Sequence, residues 1–314
     1  MKVKVGFLSK VPLSGHVLVV GPSGAGKTNT VKVLVEELSK SLRVLVLDYH
    51  GEYRGLGERY VPGYNLSFNM LSGASDPEFI VDIIGTVFQL TEPQWYLMLK
   101  CLKNAGEQIT LSSLIAAIED EPVSDWRTYE VKQAVLRRLT ILNEGVLGRV
   151  LNGSEPPSHL FEKNSVVDLS VIPPRYRSLL SLVIMKHLYD YATRRGVRAN
   201  AVHVTVLEEA WSVLLPRARW EQPSIGERLF LELRKYGEML IAVAQRLDDV
   251  SDRVRDNCET VILLRPSTSE LEKLGCSRYE LQGVELRRLQ QRGKALLVKP
   301  GCALKVLRVR KARI

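Results

Sequence analysis

The chain contains no uninterrupted apolar run of about 18 residues, the length a membrane-spanning helix requires. Its first residues, MKVKVGFLSK, carry lysines but no apolar stretch of signal-peptide length. The expectation is therefore a cytoplasmic protein, at most peripheral to the inner face of a membrane. Cysteine is scarce as well. The four cysteines stand far apart at 101, 258, 276 and 302, without a CxxC pair and without ligand-like spacing to the five histidines. That pattern excludes a zinc ribbon and argues against a disulfide framework, leaving the cysteines as buried or neutral fillers. No internal repeat or low-complexity linker interrupts the chain. Acidic residues are almost missing from residues 285–314, where ten basic side chains meet only Glu285, so this stretch carries the whole formal charge of +9. Such a patch suits nucleic acid or an anionic membrane surface, or else it is a solvated strand face.

The 314 residues are otherwise ordinary for a soluble globular protein, with 45% hydrophobic and 25% charged side chains. Strand and helix patterns alternate. HVLVV (16–20) leads through a glycine-rich loop into a helix over 27–40, and RVLVLD (43–48) follows as a strand. Helical runs are expected at 77–90, 93–105, 111–119 and 127–143. Further strands fall at 165–170, 202–207, 239–245 and 260–265, with helices at 175–195 and 223–236, and two closing strands, KALLVK and LKVLRVR. Alternation of this kind predicts an α/β fold, a mostly parallel sheet with helices on both faces. The core is expected over 1–72 and 166–314, with 73–165 as a helical insertion.

The loop GPSGAGKT fits the phosphate-binding pattern G-x-x-x-x-G-K-[ST], with a strand before it and a helix after it. Gly21, Pro22, Ser23, Gly24, Ala25, Gly26, Lys27 and Thr28 form it. The glycines let backbone N–H groups curl towards phosphate oxygens, and the helix N-terminus adds partial positive charge. Lys27 reaches the β- and γ-phosphates, and the Thr28 hydroxyl is a ligand for Mg²⁺. ATP and Mg²⁺ are the expected ligands.

The stretch VHVTVLEEAW ends a buried strand in two adjacent carboxylates. Read alone, they fit a helix start or surface ion pairs as well as a metal site. Beside a phosphate loop, Glu208 suits Mg²⁺, and Glu209 becomes the general base for the water that attacks the γ-phosphate.

Five blocks together resemble the HerA/FtsK group of P-loop ATPases, nearest to HerA-like proteins and to the ATPases of conjugation and type IV secretion. They are HVLVVGPSGAGKT (16–28), VLDYHGEY (46–53), SVVDLSVIPPRYRSLLSLVIMKHLY (165–189), VLEEAW (206–211) and ELRKYGEMLIAVAQR (232–246), in family order over almost the whole chain. The resemblance implies a RecA-like core whose sensor strand lies between the Walker A and Walker B strands, placing Gln245 at the γ-phosphate. It implies a homo-oligomer, a hexameric ring, in which an arginine of the neighbouring subunit completes the site. Arg234 is the first choice for it and Arg228 the second. Asp48 and Glu52 are candidates for orienting water or metal, or for capping the strand end. The chain departs from the family pattern in reaching its Walker A by residue 21 and in opening Walker B with Glu208.

The function implied is an Mg-ATP-dependent DNA translocase or helicase, gripping DNA mostly through phosphates. The alternative is the ATPase of a conjugation, DNA-import or secretion machine working with membrane partners. A nuclease or a membrane channel is the partner expected in each case. Arg217, Arg219, Arg137, Arg138 and Arg149 are candidate DNA contacts. Trp95 and Tyr96 are either stacking platforms for bases or core aromatics.

Overall fold

The computed structural model describes residues 2–6, 9–72, 77–105, 109–214, 217, 221–276, 286–299 and 303–314. The strands are β1 (Lys2–Lys4), β2 (Lys10–Pro12), β3 (His16–Val20), β4 (Arg43–Asp48), β5 (Glu58–Tyr60), β6 (Ser165–Asp168), β7 (His203–Leu207), β8 (Glu238–Ala244), β9 (Cys258–Leu263), β10 (Lys294–Lys299) and β11 (Ala303–Arg308). The helices used below are α1 (Lys27–Leu38), α2 (Pro77–Phe88), α3 (Glu92–Asn104), α4 (Leu111–Glu119), α5 (Trp126–Asn143), α6 (Gly145–Leu151), α7 (His159–Glu162), α8 (Pro174–Arg195) and α9 (Ile225–Leu233).

Nine strands form one sheet in the order β11-β10-β9-β3-β8-β7-β4-β6-β5, and β1 and β2 make a separate antiparallel pair. The central pairings β3–β8, β3–β9, β7–β8 and β4–β7 are parallel, whereas β10 runs antiparallel to β9 and β11 antiparallel to β10. The expected mostly parallel α/β fold is what the chain adopts. Every residue of β3, β7 and β8 is buried, which a strand covered on both faces requires. Alternate side chains show the two faces. Val17, Val19, Val204, Val206, Ile241 and Val243 join the core cluster built with Val31, Leu34 and Val35 of α1. On the opposite face the His16 ring lies 4.4 Å from Phe230 of α9. His16 Nδ1 accepts from the Leu240 N–H at 3.0 Å and Nε2 meets the Phe230 carbonyl at 2.8 Å, so the ring is neutral with its proton on Nε2.

The chain divides into two compact units, Met1–Arg59 with Leu160–Val166 and Ala192–Ile314, and Tyr60–His159 with Val167–Tyr191. The second unit contains α2–α6 and most of α8, and its bounds differ from the 73–165 expected for an insertion. Most of α8 falls there because that helix finds its aromatic partners in the unit. Tyr189 stacks on Phe79 of α2, His187 sits edge-on to Phe68, and Tyr176 lies 6.2 Å from Phe88. A run as apolar as 178–188 reads equally well as a sheet-covering helix, so sequence alone placed it with the core. Helix α3 opens at Thr91 with Pro93 in its first turn, as the sequence signals.

Several short elements escaped the pattern reading, among them β1–β2, β5, α6 and α7, because elements of three to seven residues carry too few repeats to register. Cys276 is disulfide-bonded, against the expectation of unpaired fillers, while Cys101 and Cys258 are free. Pairing needs close approach of two α-carbons, which tertiary structure sets and spacing does not reveal.

Candidate functional site

The phosphate loop follows β3 and is anchored to the strands on either side. Gly21 N–H bonds to Ala244 O of β8, and Leu264 N–H bonds to Val20 O at 2.8 Å. A β-carbon on Gly21 would fall 2.7 Å from the Leu264 carbonyl oxygen, so glycine is required there by close approach. Gly26 has φ +101° and starts α1 in a left-handed conformation that side chains rarely adopt. Lys27 Nζ donates to the carbonyls of Gly21 at 2.7 Å and Pro22 at 3.2 Å. Burial pulls its ammonium below the usual range, and the charges of Glu209 and Glu208 offset part of that.

Glu208 ends β7, is 4% exposed, and its Oε2 has no hydrogen-bond partner. Burial first, and the Asp48 charge second, push its carboxyl up to about 8. Among the described residues this carboxylate forms no ion pair, and a divalent cation at this point would supply one. No cluster of three or more His, Cys, Asp or Glu able to hold a metal exists among the described residues. The donor set therefore fits a cation that brings further oxygen ligands with it, as one bound to polyphosphate does, with Thr28 and Glu208 as the protein's share.

Glu209 has φ +46°, a left-handed conformation at the head of the turn Ala210–Ser212. Conformations of this kind in a non-glycine residue cost energy and concentrate at functional sites. Its two carboxylate oxygens are separately engaged. Trp211 Nε1 donates to Oε2 at 2.6 Å, and His50 Nε2 lies 3.4 Å from Oε1. Gln245 follows β8, its backbone fixed by Asp249 Oδ2, which accepts from the N–H groups of both Gln245 and Arg246. Asp48 accepts from the backbone N–H groups of His50, Gly51, Glu52 and Tyr53, so of its two expected roles the strand-end cap is the one its bonds display.

These parts meet in one cleft of about 460 Å³. Ser23, Gly24, Gly26, Lys27, Thr28, Glu208, Glu209, Gln245 and Glu52 line it, and so do four residues not proposed for the site beforehand, Asn29, His50, Val243 and Arg292. His50 stands in the VLDYHGEY block and could have been nominated from it. Arg292 is more than 260 positions from the loop it faces, and no local pattern signals that. Gathering occurs because β8 lies between β3 and β7, so three strand ends open onto the same space.

Arg234 is not in this cleft. It precedes β8, whereas Gln245 follows it, and it is ion-paired with Glu259. Arg228 pairs with Glu232 at 3.3 Å. Arg217 is exposed and donates to the Gln222 carbonyl, and Arg219 lies outside the described residues. In the helical unit Arg138 bonds to Ala134 O and Arg149 to Gly63 O, while Arg137 lines a cleft with Trp126 and Tyr129. Trp95 is half-buried and donates to Asp82 Oδ1 at 2.9 Å, whereas Tyr96 is 63% exposed. No described helix is long and apolar enough to cross a membrane.

Comparison with known proteins bears on this arrangement. Residues 2–188 match the family model of the HerA helicase central domain. The DNA double-strand break repair helicase HerA of Sulfolobus acidocaldarius is 23% identical over 292 residues, covering 81% of this chain and 55% of that protein. The chain thus spans about half the length of that curated relative. Among solved structures, VirB4 of Thermoanaerobacter pseudethanolicus superposes with a TM-score of 0.72 at 18% identity, over 95% of this chain and 90% of that one. The bacterial conjugative coupling protein TrwB gives 0.64 at 11% identity, over 95% and 86%. With residues 2–188, more than half of the chain, matched by the family model, the chain belongs to the HerA helicase central-domain family, and it shares its fold with VirB4 and TrwB.

Proposed function

We propose that this chain hydrolyses ATP in the cleft between β3, β8 and β7 and couples the reaction to movement of DNA as part of a homo-oligomeric ring, a hexamer. The observation that carries the reading is the convergence of Lys27, Thr28, Glu208, Glu209 and Gln245 on one cleft at the ends of three adjacent strands. Backbone N–H groups of the loop cradle the phosphates, and Lys27 exchanges its carbonyl partners for phosphate oxygens. Mg²⁺ held by Thr28 and Glu208 would neutralise charge developing on the phosphate oxygens. Glu209, released from Trp211 and His50, accepts the proton of the attacking water. Gln245 orients that water or the γ-phosphate. Arg234 stands at the opposite end of β8 from Gln245, so its proposed role is exercised on the site of a neighbouring subunit, with Glu259 as its partner until then. Exposed Arg217 and exposed Arg137 of α5 are the proposed phosphate contacts to DNA.

The test is the ATPase rate of the purified chain with and without long duplex DNA at two salt concentrations, together with its mass in solution. Strong stimulation that falls with salt, in a hexamer, is expected. Hydrolysis unmoved by DNA would refute the translocase and favour an ATPase that works on membrane partners in conjugation or DNA import.

A further inference from the structure

Tyr53 closes the VLDYHGEY block and is 1% exposed. It belongs to the core cluster that α1 shares with β3, β4, β7 and β8. Among the described residues it is the only member of that cluster with a side-chain oxygen or nitrogen. Phenylalanine would fill the same space, and a buried hydroxyl without a partner costs free energy. The Tyr53 hydroxyl has no hydrogen-bond partner among the described residues. An orphaned polar atom of this kind calls for an explanation, and a neighbouring site that takes up an ion is one.

Backbone geometry brings this hydroxyl to Glu208. Strands β4 and β7 are parallel with Leu47 opposite Leu207, so Asp48 and Glu208 leave the two strands side by side. Asp48 then turns the chain back on itself. Its Oδ1 accepts from the N–H groups of His50, Gly51 and Glu52, and its Oδ2 accepts from Tyr53 N–H at 2.9 Å. This cap returns Tyr53 to the strand end that Glu208 shares. On its other side the ring meets α1, where Lys32 Nζ lies 5.5 Å from the ring centroid. Lys32 stands one turn along the helix from Thr28, on the same face. Tyr53 is thus wedged between the two elements that carry the proposed Mg²⁺ ligands, Thr28 on α1 and Glu208 after β7. Glu208 lines the cleft, yet its Oε2 is buried and, like the Tyr53 hydroxyl, without a hydrogen-bond partner. Burial first, and the Asp48 charge second, raise the Glu208 pKa, and the Tyr53 hydroxyl lowers it, as a donor beside a carboxylate does.

We propose that Tyr53 is a positioning residue for the metal: its hydroxyl donates to Glu208 Oε2 when Glu208 binds Mg²⁺, leaving Oε1 to face the cation. The inference rests on the reading of Glu208 as a Mg²⁺ ligand. Hydrogen bonds from outside the ligand shell orient the ligands, and losing one typically costs about 10–100-fold in metal affinity. A phenol offers a single O–H, so the bond engages one carboxylate oxygen and leaves the other free. Burial, and then the Glu208 charge, hold the phenol well above its usual range, so it keeps the proton it donates.

Calorimetric titration of the full chain with a non-hydrolysable ATP analogue, in Mg²⁺ and in EDTA, tests this. Tyr53→Phe is expected to lower the affinity about ten-fold in Mg²⁺ and to leave it within about two-fold in EDTA. Unchanged affinity in Mg²⁺ would overturn the inference. Equal weakening in both solutions would overturn it too, by assigning Tyr53 to packing alone. In a Glu208→Gln background, adding Tyr53→Phe is expected to change the affinity in Mg²⁺ by less than about two-fold, because the carboxylate that Tyr53 serves is gone. A further loss of about ten-fold there would count against the role. Should Tyr53→Phe not fold, 3-fluorotyrosine at position 53 keeps the ring and its hydroxyl. Its ¹⁹F signal is expected to shift when Mg²⁺ is added to the complex with the analogue, and a signal that Mg²⁺ leaves in place would refute the contact. If the wild-type chain binds the analogue no more tightly in Mg²⁺ than in EDTA, the reading of Glu208 as a metal ligand falls and takes this role with it.

Discussion

Replacing Glu208 by glutamine probes the strand-end carboxylate, because the structure sets both the sign and the size of the effect. The wild-type carboxyl is pushed up to about 8, first by burial and then by Asp48. In the unfolded chain it would titrate near its ordinary value of 4.5. Between those values the folded chain holds a proton that the unfolded chain has released. Stability contributed by the group is therefore full below 4.5 and is lost as pH rises through about 8. At 1.36 kcal/mol per unit the loss across the window is of order 5 kcal/mol. Glutamine has the same shape and no charge, so Glu208→Gln should abolish that slope. Urea denaturation in EDTA should find the variant more stable than wild type at pH 8, with the gap closing as pH falls to 5. Adding Mg²⁺ and a non-hydrolysable ATP analogue should restore stability to the wild type and do little for the variant, which lacks the anionic ligand. A variant no more stable than wild type at pH 8, with the same pH slope, would show that burial and Asp48 do not disfavour the charged form of Glu208.

Glu209→Gln should leave nucleotide affinity nearly intact and reduce turnover by at least about a hundred-fold, measured by single-turnover hydrolysis. Full turnover would remove Glu209 as the base. Burial lowers the His16 pKa from 6.5 to about 4, and the ring is bonded in its neutral form to Phe230 and Leu240. The unfolded chain takes up this proton first, so stability from the group is present above 6.5 and is lost as pH falls through about 4, to the extent of about 3 kcal/mol. His16→Gln should be destabilised at pH 7.5 and should lack this part of the decline. An unchanged decline in the variant would assign it to other groups.

The chemistry of the site was legible because its parts are local. Glycine spacing, the following lysine and threonine, and the strand before the loop name a phosphate site within eight residues. Paired carboxylates at the end of a strand, beside such a loop, nominate a metal ligand and a base, the roles proposed for Glu208 and Glu209. The engagement of Glu209 by Trp211 and His50 was not legible. A tryptophan two positions away points back at a carboxylate only because Glu209 turns left-handed there. The helical unit was legible as helices but not in its bounds, since periodicity reports that 178–188 is buried and not against what. Asp48 read equally well as a ligand and as a cap until its four backbone donors were seen.

Sequence by itself determined the alternation of strands and helices, the loop of phosphate-binding pattern and the acids proposed to serve it, because each is written in neighbouring residues through side-chain periodicity and backbone freedom. Tertiary structure alone decided the order of the strands. It put β8 between β3 and β7 and so brought Gln245 to the phosphate loop, and it left Arg234 at the far end of the same strand. It also carried Arg292 and residues 309–311 across the sheet to Asn29. Strand order is a matter of which buried faces and hydrogen-bonding edges satisfy one another. Many orders suit nearly identical apolar strands, and only packing of the whole chain selects among them.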